Sequence, residues 1–135
     1  PLLFVFTLTS SALSAQVVYV DFESPTNGGG LTWNTAYHDL QDALVHADTS
    51  GAVTEIWVAE GTYYPTSTGD RLERFEMQNN LGIYGGFTGV ETNRSQRDWR
   101  IHETILSGDF DQNGILDSFN SNNINIINLF LNLIY

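Results

Sequence analysis

The segment Asp109-Phe110-Asp111-Gln112-Asn113-Gly114-Ile115-Leu116-Asp117 places hard oxygen donors at alternate positions. Calcium takes ~6–8 oxygen ligands, and a tight loop can turn alternate side chains toward one ion. Asp109, Asp111 and Asn113 stand at positions one, three and five of such a loop, and Gly114 stands at six. Ile115 would offer its carbonyl at seven and Asp117 would stand at nine. At position twelve, where a bidentate Glu is expected, the residue is Asn120. The missing Glu points to weak binding, on the order of 10⁻⁴–10⁻³ M. The competing reading is a surface turn, for which Asp, Asn and Gly are also the usual residues.

Two other sets could contact a ligand. Tyr63 and Tyr64, followed by Pro65, leave a strand toward a loop, and their rings could stack on a sugar. Trp57 sits within an apolar run and reads as core. All five basic side chains are arginines, at positions 71, 74, 94, 97 and 100. Guanidinium groups bind carboxylates bidentately, which makes an acidic polysaccharide conceivable. The plainer reading pairs them with the local acids Glu73, Glu76, Glu91, Asp98 and Glu103. His38, His46 and His102 have no zinc-ligand spacing, and neither a nucleophile elbow nor a phosphate-binding loop is present. Asp21 and Glu23 share one strand face by period two but read as solvated acids.

The overall charge limits the partners. Sixteen acids against five arginines give a formal charge of −11 over 135 residues. Sequence-independent nucleic-acid binding needs the opposite sign. An anionic membrane surface is disfavoured for the same reason. With 41% apolar and 13% aromatic residues the chain is too hydrophobic for an acidic disordered segment. There is no Cys, so stability must come from the core alone.

The elements that must position these residues follow from pattern. Residues 2–8 (LLFVFTL) and the small-residue stretch 9–15 (TSSALSA) read as part of a signal peptide, with cleavage expected after Ala15 and, as second choice, after Ala12. The run is too short for a transmembrane helix. Residues 16–135 are then the first part of an exported domain, secreted or at the cell surface. A helix is expected over residues 35–48, where Ala36, Leu40, Ala43, Leu44 and Ala47 share one face. Asn34 would be its N-cap, and Gly51 lies where the chain would leave it. Strands are expected at 17–22, 55–59, 75–77, 81–84, 104–106 and 124–129. The uncharged segment 120–135 (NSNNINIINLFLNLIY) reads either as a last strand with Asn at turns or as out-of-frame translation.

Ile56, Ile83, Ile105 and Ile126 recur every 21 to 27 residues, a spacing typical of solenoids. The strands are near-continuous apolar runs, which fits a parallel sheet covered on both faces. Val18-Tyr19-Val20-Asp21, Gly30-Leu31-Thr32-Trp33, Leu40-Gln41-Asp42-Ala43-Leu44, Ile56-Trp57-Val58-Ala59-Glu60-Gly61-Thr62-Tyr63-Tyr64-Pro65, Ile83-Tyr84-Gly85-Gly86-Phe87, Gly89-Val90-Glu91 and Ile105-Leu106-Ser107-Gly108-Asp109 appear in that order. This set resembles the start of exported bacterial right-handed parallel β-helix proteins of pectate-lyase-like fold, related to polymorphic outer-membrane surface proteins. The resemblance covers residues 17–109. It implies an all-β right-handed parallel β-helix of about three to four rungs, with the 35–48 helix capping its N-terminal end. The functional expectation is a non-catalytic surface module, adhesive or binding a polysaccharide or cell-surface glycan. The alternative is the N-terminal part of a polysaccharide lyase or glycoside hydrolase whose catalytic rungs lie elsewhere.

Overall fold

The structure, a computed structural model, describes residues 14–70, 72–109, 111–113 and 129–130. The leader reading of residues 2–13 falls outside the described residues, as do all but Leu129 and Phe130 of the segment 120–135.

The expected parallel β-helix is not what forms. The chain is a small mixed α/β domain. Strands β1 (Gln16–Val20), β2 (Val53–Ala59) and β4 (Gly82–Phe87) make one open parallel sheet in the order β1-β2-β4. Helix α1 (Leu40–Ser50) lies between β1 and β2 in the chain, as the crossover of a βαβ unit. It packs on β1 and β2 rather than capping a stack. A second small sheet holds β3 (Gly61–Tyr63), β5 (Thr104–Leu106) and β6 (Leu129–Phe130), and its β5–β6 pair is antiparallel. A solenoid needs each turn to add a parallel strand in the same stack, and among the described residues nothing is closed or curled. The apolar runs and long spacing that suggested rungs are equally the marks of a doubly covered parallel sheet joined by crossovers.

Register sorts the side chains into two faces. Val18, Ile56 and Ile83 form one row across the three strands, and Tyr19, Trp57 and Tyr84 form the next. Successive residues on a strand point to opposite faces. Val18, Val20, Ile56 and Val58 meet Leu40, Ala43, Leu44 and Ala47 of α1 in the main core, which Tyr63, Phe75 and Leu106 complete. The Tyr19–Trp57–Tyr84 row therefore lies on the face away from the helix.

The helix has the expected apolar face but starts later than residue 35. Tyr37 N donates to Tyr19 O at 3.0 Å, and Asp21 N donates to Tyr37 O at 2.8 Å. This bridge holds residues 36–37 extended against β1, so backbone pairing overrides their helical tendency. Ahead of them, Trp33–Thr35 make a separate 3₁₀ turn. Asp39 is the N-cap, and Gly51 closes the helix in the left-handed region at φ 63°. Phe75–Met77 is not a strand; Phe75 instead enters the core as part of a loop.

The two sheets are joined at Thr104, which is fully buried. Its hydroxyl accepts from Gly86 N at 3.0 Å and donates to Ala59 O at 3.1 Å. One side chain of β5 thereby satisfies the ends of both β2 and β4.

Candidate functional site

A cleft of about 1120 Å³ opens between the outer side of α1 and the loop segments 64–68 and 72–78. Gln41 holds the loop over the helix at two points, donating from Nε2 to Pro65 O (3.1 Å) and to Arg74 O (2.9 Å). Gln78 Nε2 donates to Leu44 O at 2.7 Å, and the buried Phe75 ring fixes the same segment from below. Tyr64 and Pro65 supply an apolar patch on one wall. Asp39, Asp42, Asp48, Glu73 and Glu76 also line the cleft, against the single described guanidinium of Arg74, which is paired with Glu76. Val45 and Leu72 stand 63% and 75% exposed at its rim. A half-buried ring beside several carboxylate acceptors suits a ligand with both an apolar face and many hydroxyl groups.

The other side of the sheet carries an aromatic layer. Trp57 stacks on Phe87 with centroids 4.9 Å apart and ring planes 6° apart. Tyr19 meets Trp33 and Trp57 edge-on at 4.7 and 5.6 Å. Trp33 donates from Nε1 to Glu91 O at 2.8 Å. Glu91 is itself buried, and its carboxylate accepts from Thr88 N, Thr88 Oγ1, Gly89 N and Val90 N at 2.7 to 3.2 Å. Burial alone would raise its pKa. The donors from Thr88 and Val90 outweigh that and hold it below the ordinary glutamate value. Next to this layer, Arg94 and Arg97 lie 4.5 and 5.4 Å from the Tyr84 ring centroid. Arg94 Nη1 pairs with Glu55 Oε1 at 2.7 Å, and the other oxygen of Glu55 accepts from Trp57 Nε1 at 2.7 Å.

The residues singled out from sequence fall in different places. Tyr63 is 3% exposed, part of the main core, and donates its hydroxyl to Ala59 O. Burial, reinforced by the charge of Asp21, pushes its phenol well above the usual value. It presents no ring face to a ligand. Tyr64, by contrast, lines the cleft. Of the calcium-type loop, Asp109, Asp111 and Asn113 are described, whereas Ile115 and Asp117 lie outside the described residues. Asp109 is buried at 5% exposure. Asn113 N lies 3.3 Å from Asp109 Oδ1, and Asn113 Nδ2 donates to Asp111 Oδ2 at 2.9 Å. The loop's own amides thus donate to the carboxylates of both aspartates. Among the described residues no group of three or more His, Asp or Glu side chains is arranged to hold a metal. Nor is any described helix long and apolar enough to cross a membrane.

Sequence reasoning missed Glu91 and the aromatic row. The alternation Val18-Tyr19-Val20 against Ile56-Trp57-Val58 was the available signal for the row, because period two sends Tyr19 and Trp57 to a common face. Comparison with protein-family models, curated proteins and solved structures finds no match for the chain.

Proposed function

We propose that this chain is a non-catalytic glycan-binding module of an exported protein, secreted or held at the cell surface, with the α1–loop cleft as its ligand site. The observation that carries this reading is the cleft's lining, which combines Tyr64 and Pro65 with the carboxylates of Asp39, Asp42 and Asp48. Carboxylates accept hydrogen bonds from adjacent sugar hydroxyls, and the tyrosine ring covers the apolar C–H face of a pyranose. The ligand is a neutral glycan, because a chain of net charge −11 with an acidic cleft repels polyanions at long range. Export is supported by the apolar and small-residue pattern of residues 2–15.

Calorimetric titration with neutral oligosaccharides tests the reading. Tyr64→Ala should weaken binding by about tenfold, the equivalent of ~1.4 kcal/mol, and Asp42→Asn should weaken it less. Equal binding by wild type and Tyr64→Ala, or no binding of any neutral oligosaccharide at millimolar concentration, would sink it.

A further inference from the structure

The arginines on the helix-free face stand apart from that cleft. Arg94 and Arg97 are three residues apart across the 3₁₀ turn Arg94–Gln96, a spacing that brings side chains to the same side. Both converge on the Tyr84 ring. Arg94 is matched by Glu55. Arg97 is half-buried, and among the described residues its guanidinium makes one hydrogen bond, from Nη1 to Gly85 O at 3.1 Å. Among the described residues no carboxylate lies within ion-pair reach of Arg97. Two guanidinium groups therefore face one neutralising carboxylate in a chain otherwise dominated by acids. A guanidinium has five N–H donors in a fixed fork, so Arg97 retains most of its donor capacity.

We propose that Arg97, backed by Arg94 and seated on Tyr84, is an oxyanion-binding site that takes a carboxylate or phosphate group of a ligand. The Tyr84 ring holds both cations in place, which lowers the ordering cost of binding. The Gly85 carbonyl fixes one edge of the Arg97 fork and leaves the rest for a bidentate anion. Burial and the neighbouring Arg94 charge both hold the pKa of Arg97 below the usual arginine value, the condition an incoming anion relieves.

The test is a titration of the intact chain with sodium acetate and, separately, sodium phosphate, read from the arginine Nε–H signals in ¹⁵N NMR against sodium chloride at equal ionic strength. Saturable shifts of Arg97 and Arg94 beyond those in chloride, with Arg74 and Arg100 following chloride, support the site. The anion that produces them identifies carboxylate or phosphate as the ligand chemistry. Arg97→Lys keeps the charge but loses the fork, and should weaken the response of Arg94 by about tenfold. Its backbone amide spectrum shows whether the fold is retained. Shifts of equal size at all arginines, no shift beyond chloride, or an undiminished Arg94 response in folded Arg97→Lys would each overturn the proposal. Tyr64→Ala should leave the titration unchanged, which separates this site from the glycan cleft.

Discussion

Removing the Glu91 carboxylate should destabilise the domain more than any surface acid would. Four donors of the 88–91 turn converge on its two oxygens, and its own carbonyl holds the Trp33 indole. A hydrogen bond to a charged group contributes ~1.5–3 kcal/mol net when buried. Gly89 is half-buried and Val90 exposed, so water recovers part of the two longer bonds. Counting only the pair from Thr88, at 2.7 and 2.9 Å, the loss on Glu91→Ala is about 3 kcal/mol. For a domain of about 100 residues that lowers the melting temperature by about 12–24 °C. Glu91→Gln keeps the shape and one acceptor but sets an NH₂ against backbone donors. It should cost about 1.5–2 kcal/mol. The difference from wild type must also depend on pH. The folded pKa of Glu91 is lowered, so its contribution is fully present above the unfolded glutamate value and is lost as pH falls through the folded one. Thermal unfolding of wild type and Glu91→Gln from pH 7 down to pH 3 measures this directly. A gap that stays constant over that range, or a variant as stable as wild type at pH 7, would refute the reasoning.

Two other perturbations probe the frame that holds both sites. Thr104→Val preserves volume but leaves Gly86 N without its hydroxyl acceptor, while Ala59 O keeps the Tyr63 hydroxyl. It should cost about 1–3 kcal/mol in urea unfolding with an unchanged slope. Gly86→Ala should be worse, because its φ of 91° disfavours a side chain and the added carbon would lie 2.7 Å from the backbone of Trp99. Loss of the cooperative unfolding transition, or of soluble expression, is the expected reading for that variant.

Much of the local structure was legible in the residues, and the assembly was not. The β5 strand, the apolar face of α1 and the Gly51 cap follow from local pattern. The spacing between Ile56 and Ile83 even corresponds to direct partners in the parallel ladder. Periodicity reports which face of an element is apolar, but not which element covers it. Of the recurring isoleucines that suggested stacked rungs, Ile56 and Ile83 pair in the first sheet, Ile105 belongs to the second, and Ile126 lies outside the described residues. Residues 36–37 show the same limit, since the bond network that keeps them extended comes from β1, nearly twenty residues away. Tyr63 and Tyr64 are chemically alike in the sequence, and only strand geometry decides that the first turns inward and the second toward the cleft. Glu91 is invisible beforehand because its role depends on four neighbours folding around it.

The aromatic layer has an optical consequence. Two of the three tryptophans, Trp33 and Trp57, each pack against Tyr19 and Phe87 on the helix-free face, and Trp57 is parallel to Phe87. Their emission and near-ultraviolet dichroism therefore report one side of the sheet, while the cleft on the other side contains tyrosine and no tryptophan. The molecule carries a built-in pair of spectral channels. A ligand in the cleft should perturb tyrosine and leave indole signals quiet, whereas an anion near Tyr84 should reach the indoles through the Glu55 bond to Trp57.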